Sequence, residues 1–402
     1  MKSEENRFER LTRLEVNKFV EKNINKSIPE LILKGSPFKH IDIKDIINQI
    51  VGKKKAKKKL PHWYKNEKVI YPPKLNLEQT SSEITALHKS KLVFCQNLLD
   101  MTGGFGIDSY YFSKKVNTLI YTELNSELCK IVKHNTETFG IGNCEIKNED
   151  SIDMLHKNSQ IYDWIYIDPS RRNEKTKVIQ LKDSLPNIVD HLDIIEQKSE
   201  RLMIKTSPMY DLDIGYKELK GIKEVHIISV KNEVKELLWI IDWRKQNSRF
   251  IKIYNYKTRS KYSFTSIDED NEKLNKIELS KCCQYLYELD SGIMKSRFND
   301  RIGTRYGLKK LEQHTNLYTS ERKILSIPGK IYEVKTVESI NYKKIIKAVK
   351  GQQINLISKN FHLNTDEIQK KIKCTTGGKT NYYIFAKTIE GNRLIEATRI
   401  MS

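Results

Sequence analysis

Apolar positions follow three successive patterns along the chain. Up to Pro72-Pro73 they recur at helical spacing: Phe8, Leu11, Leu14, Phe19 and Val20, then Ile41, Ile43, Ile46, Ile47 and Ile50 after Pro37. A lysine run, Lys53-Lys54-Lys55-Ala56-Lys57-Lys58-Lys59, comes next, and Leu60-Pro61-His62-Trp63-Tyr64 with Pro72-Pro73 reads as a linker. From Gln79 short apolar runs alternate with longer amphipathic stretches. Asn97–Met101, Thr118–Glu123, Glu145–Lys147, Trp164–Asp168, Leu202–Lys205, Val225–Val230 and Leu237–Ile241 are predicted strands, and Ser126–Phe139 and Leu185–Gln197 are predicted helices. Such alternation implies an α/β domain with a doubly wound parallel sheet, closed by a hairpin of the last two runs. After Arg244 the order is a hairpin (Phe250–Tyr256, Tyr262–Ile267), a polar break at Asp268–Lys273, then strand Ile331–Val337, helix Tyr342–Val349, strand Ile354–Ile357, helix Asp366–Lys373 and hairpin Tyr382–Ile389/Arg393–Arg399. That order predicts a small α+β domain, and no internal repeat is visible.

Length and composition narrow the class. At about 100–200 residues per domain, 402 residues predict two or three domains, and 38% hydrophobic content is enough for packed cores. No apolar run approaches the ~18 residues of a membrane span, and Met1–Arg10 alternates charges where a secretory signal would be apolar. Six cysteines, with only Cys282 and Cys283 adjacent, suggest neither a disulfide framework nor a zinc ribbon. The scattered histidines form no metal motif. The expected location is the cytoplasm, with no membrane and no metal.

Charge becomes informative once it is divided by region. The net charge is +21. Residues 1–78 carry 19 Lys/Arg against 10 Asp/Glu, residues 79–244 carry 22 against 25, and residues 245–402 carry 31 against 16. A uniform compositional bias would have charged the middle as well. Basic flanks around a slightly acidic centre point to a polyanionic partner held by the flanks. Tyr254, Tyr256 and Tyr262 interleave with Lys252, Lys257, Arg259 and Lys261, a pattern that can stack bases and track a phosphate backbone, or that can belong to an ordinary solvated hairpin. The Lys53–Lys59 run has the same two readings.

The segment Leu98-Leu99-Asp100-Met101-Thr102-Gly103-Gly104-Phe105-Gly106-Ile107-Asp108 carries the most chemistry. A buried strand ends in an acid, then in a glycine-rich turn, then in a helix. Glycine lets backbone approach a ligand closely, and ligands of open α/β sheets bind beyond the carboxyl ends of the strands. Glu123 ends the second strand, where an acid meets a ribose hydroxyl pair, and Asp150 with Ser151 follows the third. Three ligands compete. A nicotinamide fingerprint needs G-x-G-x-x-G, which Gly103, Gly104 and Gly106 do not form. A P-loop is mimicked by Gly378-Lys379-Thr380, but Lys373 stands where its first glycine belongs. S-adenosylmethionine is cationic and lacks phosphates, which suits Asp100, Glu123 and Asp150.

Here the sequence resembles the class I S-adenosylmethionine-dependent methyltransferases, and looks closest to a bacterial group with a helical N-terminal region and a THUMP-like C-terminal domain. The resemblance covers most of the chain. It runs through Lys59-Leu60-Pro61-His62-Trp63, Glu78–Ala86, Asp100–Asp108, Asp168-Pro169-Ser170-Arg171-Arg172, Lys205-Thr206-Ser207-Pro208-Met209 and Glu233–Leu238. It implies a Rossmann-like seven-stranded core. The resulting domain expectation is a helical region 1–78, a cofactor-binding domain 79–244, a ferredoxin-like α+β region 245–325 and a THUMP-like domain 326–402, the last binding RNA by analogy.

By the same resemblance, Asp100, Thr102, Gly103, Gly104, Phe105 and Gly106 would cradle the methionine part of S-adenosylmethionine. Glu123 would bind the ribose hydroxyls and Asp150 would face the adenine amino group, Leu124 and Ser151 beside them would also belong to the cofactor site, and Gln79, Ser81 and Ser82 would close over the cofactor. Methyltransferases acting on nitrogen often carry [D/N]-P-P-[F/Y/W] after the fourth strand. Asp168-Pro169-Ser170-Arg171 departs from it at Ser170 and Arg171. Asp168 could still orient a nitrogen or accept its proton, while Arg171 and Arg172 could pair a phosphate, stack on a base, or simply neutralise Asp168. No Cys follows the fourth or fifth strand, which disfavours attack through carbon 5 of a pyrimidine. The functional expectation is methylation of a base nitrogen in tRNA or rRNA. A non-catalytic RNA-binding module of the same fold, or a methyltransferase for protein or small molecules, are the alternatives.

Overall fold

The computed structural model describes residues 6–171, 180–244, 249–256, 260–265, 277–378 and 380–400. The chain forms two compact units, Met1–Glu224 with Leu237–Asn247, and Val225–Glu236 with Ser248–Ser402.

In the first unit, helices α1 (Arg7–Leu11), α2 (Leu14–Asn23), α3 (Ile28–Lys34), α4 (Ile43–Lys59), α5 (Pro61–Tyr64), α6 (Lys74–Gln79) and α7 (Glu83–Ser90) precede the sheet. Asn6 and Glu9 form a capping box on α1, and Asp42 accepts the Lys44 amide at the start of α4, supplying acceptors that the first helical turn lacks. The segment expected to be a linker is instead core. Pro61 starts α5, where its missing N–H costs nothing. Leu60, Trp63, Ile70 and Tyr71 are buried together with Phe105 and Tyr110. The extended backbone at residues 70–71 is hydrogen-bonded by side-chain amides. Gln49 serves Tyr71 N–H and C=O at 2.9 and 3.1 Å, and Asn135 serves Ile70 N–H and C=O at 2.9 Å each. Without those amides this buried backbone would have no partners.

The sheet is built from β1 (Cys95–Asp100), β2 (Val116–Thr122), β3 (Cys144–Lys147) and β4 (Trp164–Ile167), and, after a separate two-stranded pair of β5 (Ser170–Arg171) and β6 (Ser184–Leu185), from β7 (Arg201–Thr206), β8 (Ile222–Val230) and β9 (Glu233–Asp242). Its order is β3-β2-β1-β4-β7-β9-β8. Register pairs Leu99 with Ile120 and Ile165, and Ile167 with Ile204, all parallel, whereas β9 runs antiparallel to β7 with Trp239 opposite Ile204. The crossover helices are α8 (Ile107–Ser113), α9 (Ser126–Thr138), α10 (Ser151–Lys157), α11 (Leu192–Lys198) and α12 (Leu212–Glu218). The helix expected from Leu185 begins only at Leu192, because Ser184–Leu185 pairs with β5 and Pro186 follows. An α/β fold with this strand order places the carboxyl ends of β1, β2, β4 and β7 along one edge, where the site lies.

The second unit holds β10 (Phe250–Tyr256) and β11 (Ser260–Thr265), an antiparallel hairpin, and a separate sheet of eight strands. The latter comprises β12 (Tyr285–Leu289), β13 (Lys309–Glu312), β14 (Thr315–Ser320), β15 (Gly329–Ser339), β16 (Gln353–Lys359), β17 (Thr375–Thr376), β18 (Asn381–Thr388) and β19 (Gly391–Ile400). Helices Tyr342–Val349 and Thr365–Ile372 bury Ile345, Val349, Ile368 and Ile372 against β16 and β18 through Ile354, Tyr383 and Phe385. Tyr254 lies half-buried against the His226 ring, so this tyrosine packs within its own unit. The side chains of Arg171, Lys257, Arg259, Lys261 and Tyr262, the Asp268–Lys273 break, and Arg172 and Lys379 lie outside the described residues.

Candidate active site

The glycine turn after β1 is shaped by its neighbours. Gly106 starts α8 with φ 76°, and a Cβ there would press on Val132. A Cβ on Gly103 would lie 2.0 Å from the Tyr121 ring, so only glycine lets this backbone cross the ring. The turn is pinned to β2 by Gly103 N–H donating to Thr122 C=O at 2.9 Å and by Tyr121 OH donating to Gly104 C=O at 2.6 Å. Glu123 holds it from the side, accepting Gly104 N–H at 3.0 Å and Asn125 N–H at 2.8 Å.

Asp100 is sealed beneath this turn, only 1% exposed. It accepts the Ser109 hydroxyl and, at 3.1 Å, the Thr102 N–H. Burial pushes its carboxyl up to about 7, against the opposing pull of those two hydrogen bonds. Its role within the described contacts is to fold the turn. The Phe105 ring is buried edge-on to Trp63 at 5.1 Å and packs in the helical core, while its backbone runs through the turn. Leu124 is exposed at the start of α9, Asp150 caps α10 by accepting Ile152 and Asp153 N–H at 2.8 and 3.1 Å, and Ser151 is buried in its first turn.

Ahead of the sheet, the three residues expected to close over the cofactor separate. Gln79 is exposed at the end of α6. Ser82 caps α7 by accepting Thr85 N–H at 3.3 Å. Ser81 is buried and donates to Asp108 Oδ2 at 2.8 Å while accepting Lys89 Nζ at 2.8 Å. Tyr166 OH also donates to Asp108 at 2.8 Å, and Lys89 Nζ stands 3.1 Å from its other oxygen. Burial alone would raise the Asp108 carboxyl. Lys89 and Lys205, with the hydrogen bonds of Ser81 and Tyr166, outweigh it and hold the group below the usual carboxylate range. This buried network ties α7 and α8 to β4.

Asp168 follows β4. Its N–H donates to Thr102 Oγ1 at 2.6 Å, which joins the glycine turn to the loop after β4. Its Oδ2 pairs with Lys205, at the end of β7. Pro169 is half-buried and Ser170 is exposed in β5, its hydroxyl 3.4 Å from Leu185 C=O. A proline at 170 would lack the N–H that a ladder residue can donate, which gives the Ser170 departure a local reason. Arg171 pairs with Ser184 in β5–β6 register. Among the described residues, Lys205 is the charge partner of Asp168.

Of the lysine run, Lys53, Lys55 and Lys59 have ion-pair or hydrogen-bond partners, and Lys57 lies over the Tyr64 ring at 6.0 Å. Lys53 pairs with Glu21 at 2.9 Å, Lys55 pairs with Glu78, and Lys59 donates to the carbonyls of Leu77 and Glu78 at 3.0 and 2.8 Å. Burial, then the charges of Lys205 and Lys55, bring the Lys59 amine down to about 8, so Lys59 lies within electrostatic reach of Lys205. Lys54, Lys57 and Lys58 remain exposed. Lys89, Asp108 and Lys205 were the residues that motif reading left without a role.

Comparison with known proteins bears on this geometry. Residues 285–328 match the family model of a ferredoxin-like domain, and residues 329–399 that of a THUMP domain-like family. The chain shares its fold with a "putative methyltransferase" from Porphyromonas gingivalis W83, at 24% identity and TM-score 0.82, covering 96% of this chain and 98% of that one. Partial likenesses extend to a "putative methyltransferase" from Streptococcus mutans in complex with SAH (13% identity, 40% of this chain and 98% of that chain, TM-score 0.30) and to M. capricolum TrmK with S-adenosyl-homocysteine (16% identity, 42% and 70%, TM-score 0.32). No curated protein sequence matches the chain. The architecture is thus an α/β fold shared with the Porphyromonas gingivalis structure, with ferredoxin-like and THUMP-like segments after it.

Proposed function

We propose that the protein is an S-adenosylmethionine-dependent methyltransferase acting on a base nitrogen of tRNA or rRNA. The observation that carries this reading is the direct bond from Asp168 N–H to Thr102 Oγ1, which sets the candidate substrate loop against the glycine turn. The residues suit the cofactor. Gly103 and Gly106 let the turn pack tightly on Tyr121 and Val132, a Cβ on Gly104 would meet nothing nearer than Thr102 O at 3.8 Å, and Glu123 is already oriented by Gly104 and Asn125 for a ribose hydroxyl pair. Asp150 and Ser151 would stand on the adenine side, and Leu124 is an exposed apolar surface at the same rim.

Bound S-adenosylmethionine supplies an electrophilic methyl group. The chain's part is to orient the nitrogen: Asp168, Pro169 and Ser170 form the loop facing it, and the Asp168 carboxylate accepts its N–H, so that the nitrogen lone pair points at the methyl. As the N–C bond forms, positive charge develops on the nitrogen beside a carboxylate, and the proton then departs by way of that hydrogen bond to water. Arg171 would meet a neighbouring phosphate. The basic segments on either side and the THUMP-like segment would hold the RNA. Among the described residues no helix is long and apolar enough to cross a membrane, and no cluster of three or more His, Cys, Asp or Glu could hold a metal. A cytoplasmic location is part of the proposal.

Methyl-labelled cofactor incubated with hypomethylated total RNA provides the test. Label in RNA, lost with Asp168→Ala while S-adenosylhomocysteine still binds, is the expected result. Label appearing only in protein or small molecules refutes the RNA reading. Wild-type protein that binds cofactor and RNA yet transfers nothing supports the non-catalytic alternative instead.

A further inference from the structure

The register of β4 and β7 carries an inference beyond the motif at Asp168. Ile167 lies opposite Ile204 in a parallel pair, so the next residues, Asp168 and Lys205, leave the sheet side by side. Lys205 is held on its other flank by antiparallel pairing to Leu238, and the adjacent Thr206 Oγ1 accepts Trp239 Nε1 at 3.0 Å. The lysine therefore rises from the middle of the sheet on a fixed backbone. Its side chain is 13% exposed and that of Asp168 30%, so the ion pair is shielded on the lysine side and open on the carboxylate side. Only Oδ2 is taken by Lys205, and among the described residues no hydrogen bond to Oδ1 is formed.

We propose that Lys205 is the positioning residue of the reaction, fixing the Asp168 carboxylate by one oxygen so that the other accepts the N–H of the target base. The proposal rests on the nitrogen-methyltransferase reading above and deepens it. A carboxylate clamped this way is an acceptor and not a donor. It selects bases that present an N–H at or beside the reacting nitrogen, as the exocyclic amines of adenine, cytosine and guanine do. The proton lost by the methylated nitrogen passes along that hydrogen bond to water. In the balance of the step, one N–C bond forms and one S–C bond breaks. The sulfonium becomes a neutral thioether, and one proton is released.

Three variants test the assignment in the full-length protein: Lys205→Met, Lys205→Arg and Lys205→Met combined with Asp168→Asn. If Lys205 acts through Asp168, Lys205→Met lowers kcat by about 30-fold or more with the cofactor KM within about 3-fold. The arginine variant recovers to within about 5-fold of wild type, because a guanidinium keeps the charge-assisted bond. The double variant is no slower than Asp168→Asn alone, the non-additivity of residues acting as one unit. A Lys205→Met enzyme within about 3-fold of wild type, or losses that simply multiply, overturns the assignment. Wild-type protein that labels no RNA sinks the function reading separately. Lys205 is then judged from crystal structures with bound S-adenosylhomocysteine: an Asp168 carboxylate unmoved in Lys205→Met overturns its positioning role, and one turned away from the site upholds it.

Discussion

Replacing Lys89 by methionine isolates the buried ionic network beneath the site. Lys89 is fully buried, and its ammonium stands 3.1 Å from Asp108, which is itself nine-tenths buried. The variant keeps the stem volume and removes the charge, leaving Asp108 with the Ser81 and Tyr166 hydroxyls and the more distant Lys205. Breaking a buried pair from one side costs about 3–5 kcal/mol, since the remaining charge is desolvated without compensation. At roughly 2–4 °C per kcal/mol for a unit of this size, the calorimetric Tm should fall by about 6–20 °C. Lys89→Met combined with Asp108→Asn should recover at least about half of that loss, because no orphaned charge is left. The sign with pH follows from linkage. Asp108 is held below its ordinary value of 3.8, so its stabilisation is complete at neutral pH and disappears as pH falls through the folded value. Wild type and Lys89→Met should therefore converge on acidification. A single variant within about 2 °C of wild type at neutral pH, or a gap that widens in acid, refutes the account.

Asp100 should behave in the opposite sense. Burial raises it to about 7, so the cofactor-free protein loses stability as pH rises from the ordinary aspartate range through neutrality, and Asp100→Asn flattens that slope in a Tm-against-pH series. Gly103→Ala places a Cβ 2.0 Å from the Tyr121 ring. It should destabilise by about 1–3 kcal/mol and abolish the rise in Tm that S-adenosylhomocysteine gives wild type. RNA affinity measured across a salt series should fall steeply, and neutralising exposed Lys54, Lys57 and Lys58 should reduce the slope by up to about 0.7–0.9 for each phosphate no longer neutralised, whereas an unchanged slope excludes this helix from the RNA surface. Trp63→Ala should cost about 3–5 kcal/mol, because the ring fills the core shared by α5, Phe105 and Tyr110; a loss below about 1 kcal/mol would show that this segment is a linker after all.

Hydropathy alone determined much of the first unit. The predicted strands at Asn97, Thr118, Glu145, Trp164 and Leu202 fall on β1, β2, β3, β4 and β7 to within two residues at each end, and β4 and β7 are the plainest, because strands buried on both faces read as short continuous apolar runs. The late strands and helices from Ile331 onward were equally legible, each an alternating or amphipathic stretch bounded by polar turns. Residues 277–328 were not. Their strands β12, β13 and β14 are short, and burial of Leu286, Leu311 and Leu317 depends on neighbours far along the chain. The segment around Trp63 misled for a related reason: its prolines signal a break, yet Gln49 and Asn135 satisfy its backbone from other helices.

At the site, the glycine turn, Glu123 and Asp168 could be named from local order, since a strand, a turn and a helix that meet a ligand are contiguous in sequence. The charges that govern them could not. Ser81, Lys89, Asp108, Tyr166 and Lys205 belong to α7, its preceding loop, α8, β4 and β7, and each alone is an ordinary residue of its element. Only parallel register, which sets Lys205 beside Asp168, and helix packing, which sets Lys89 beside Asp108, turn them into ion pairs. Short-range patterning thus determined where the glycine turn sits, and tertiary contact decided its ionic setting, because coulombic coupling depends on distances through space that sequence separation does not encode.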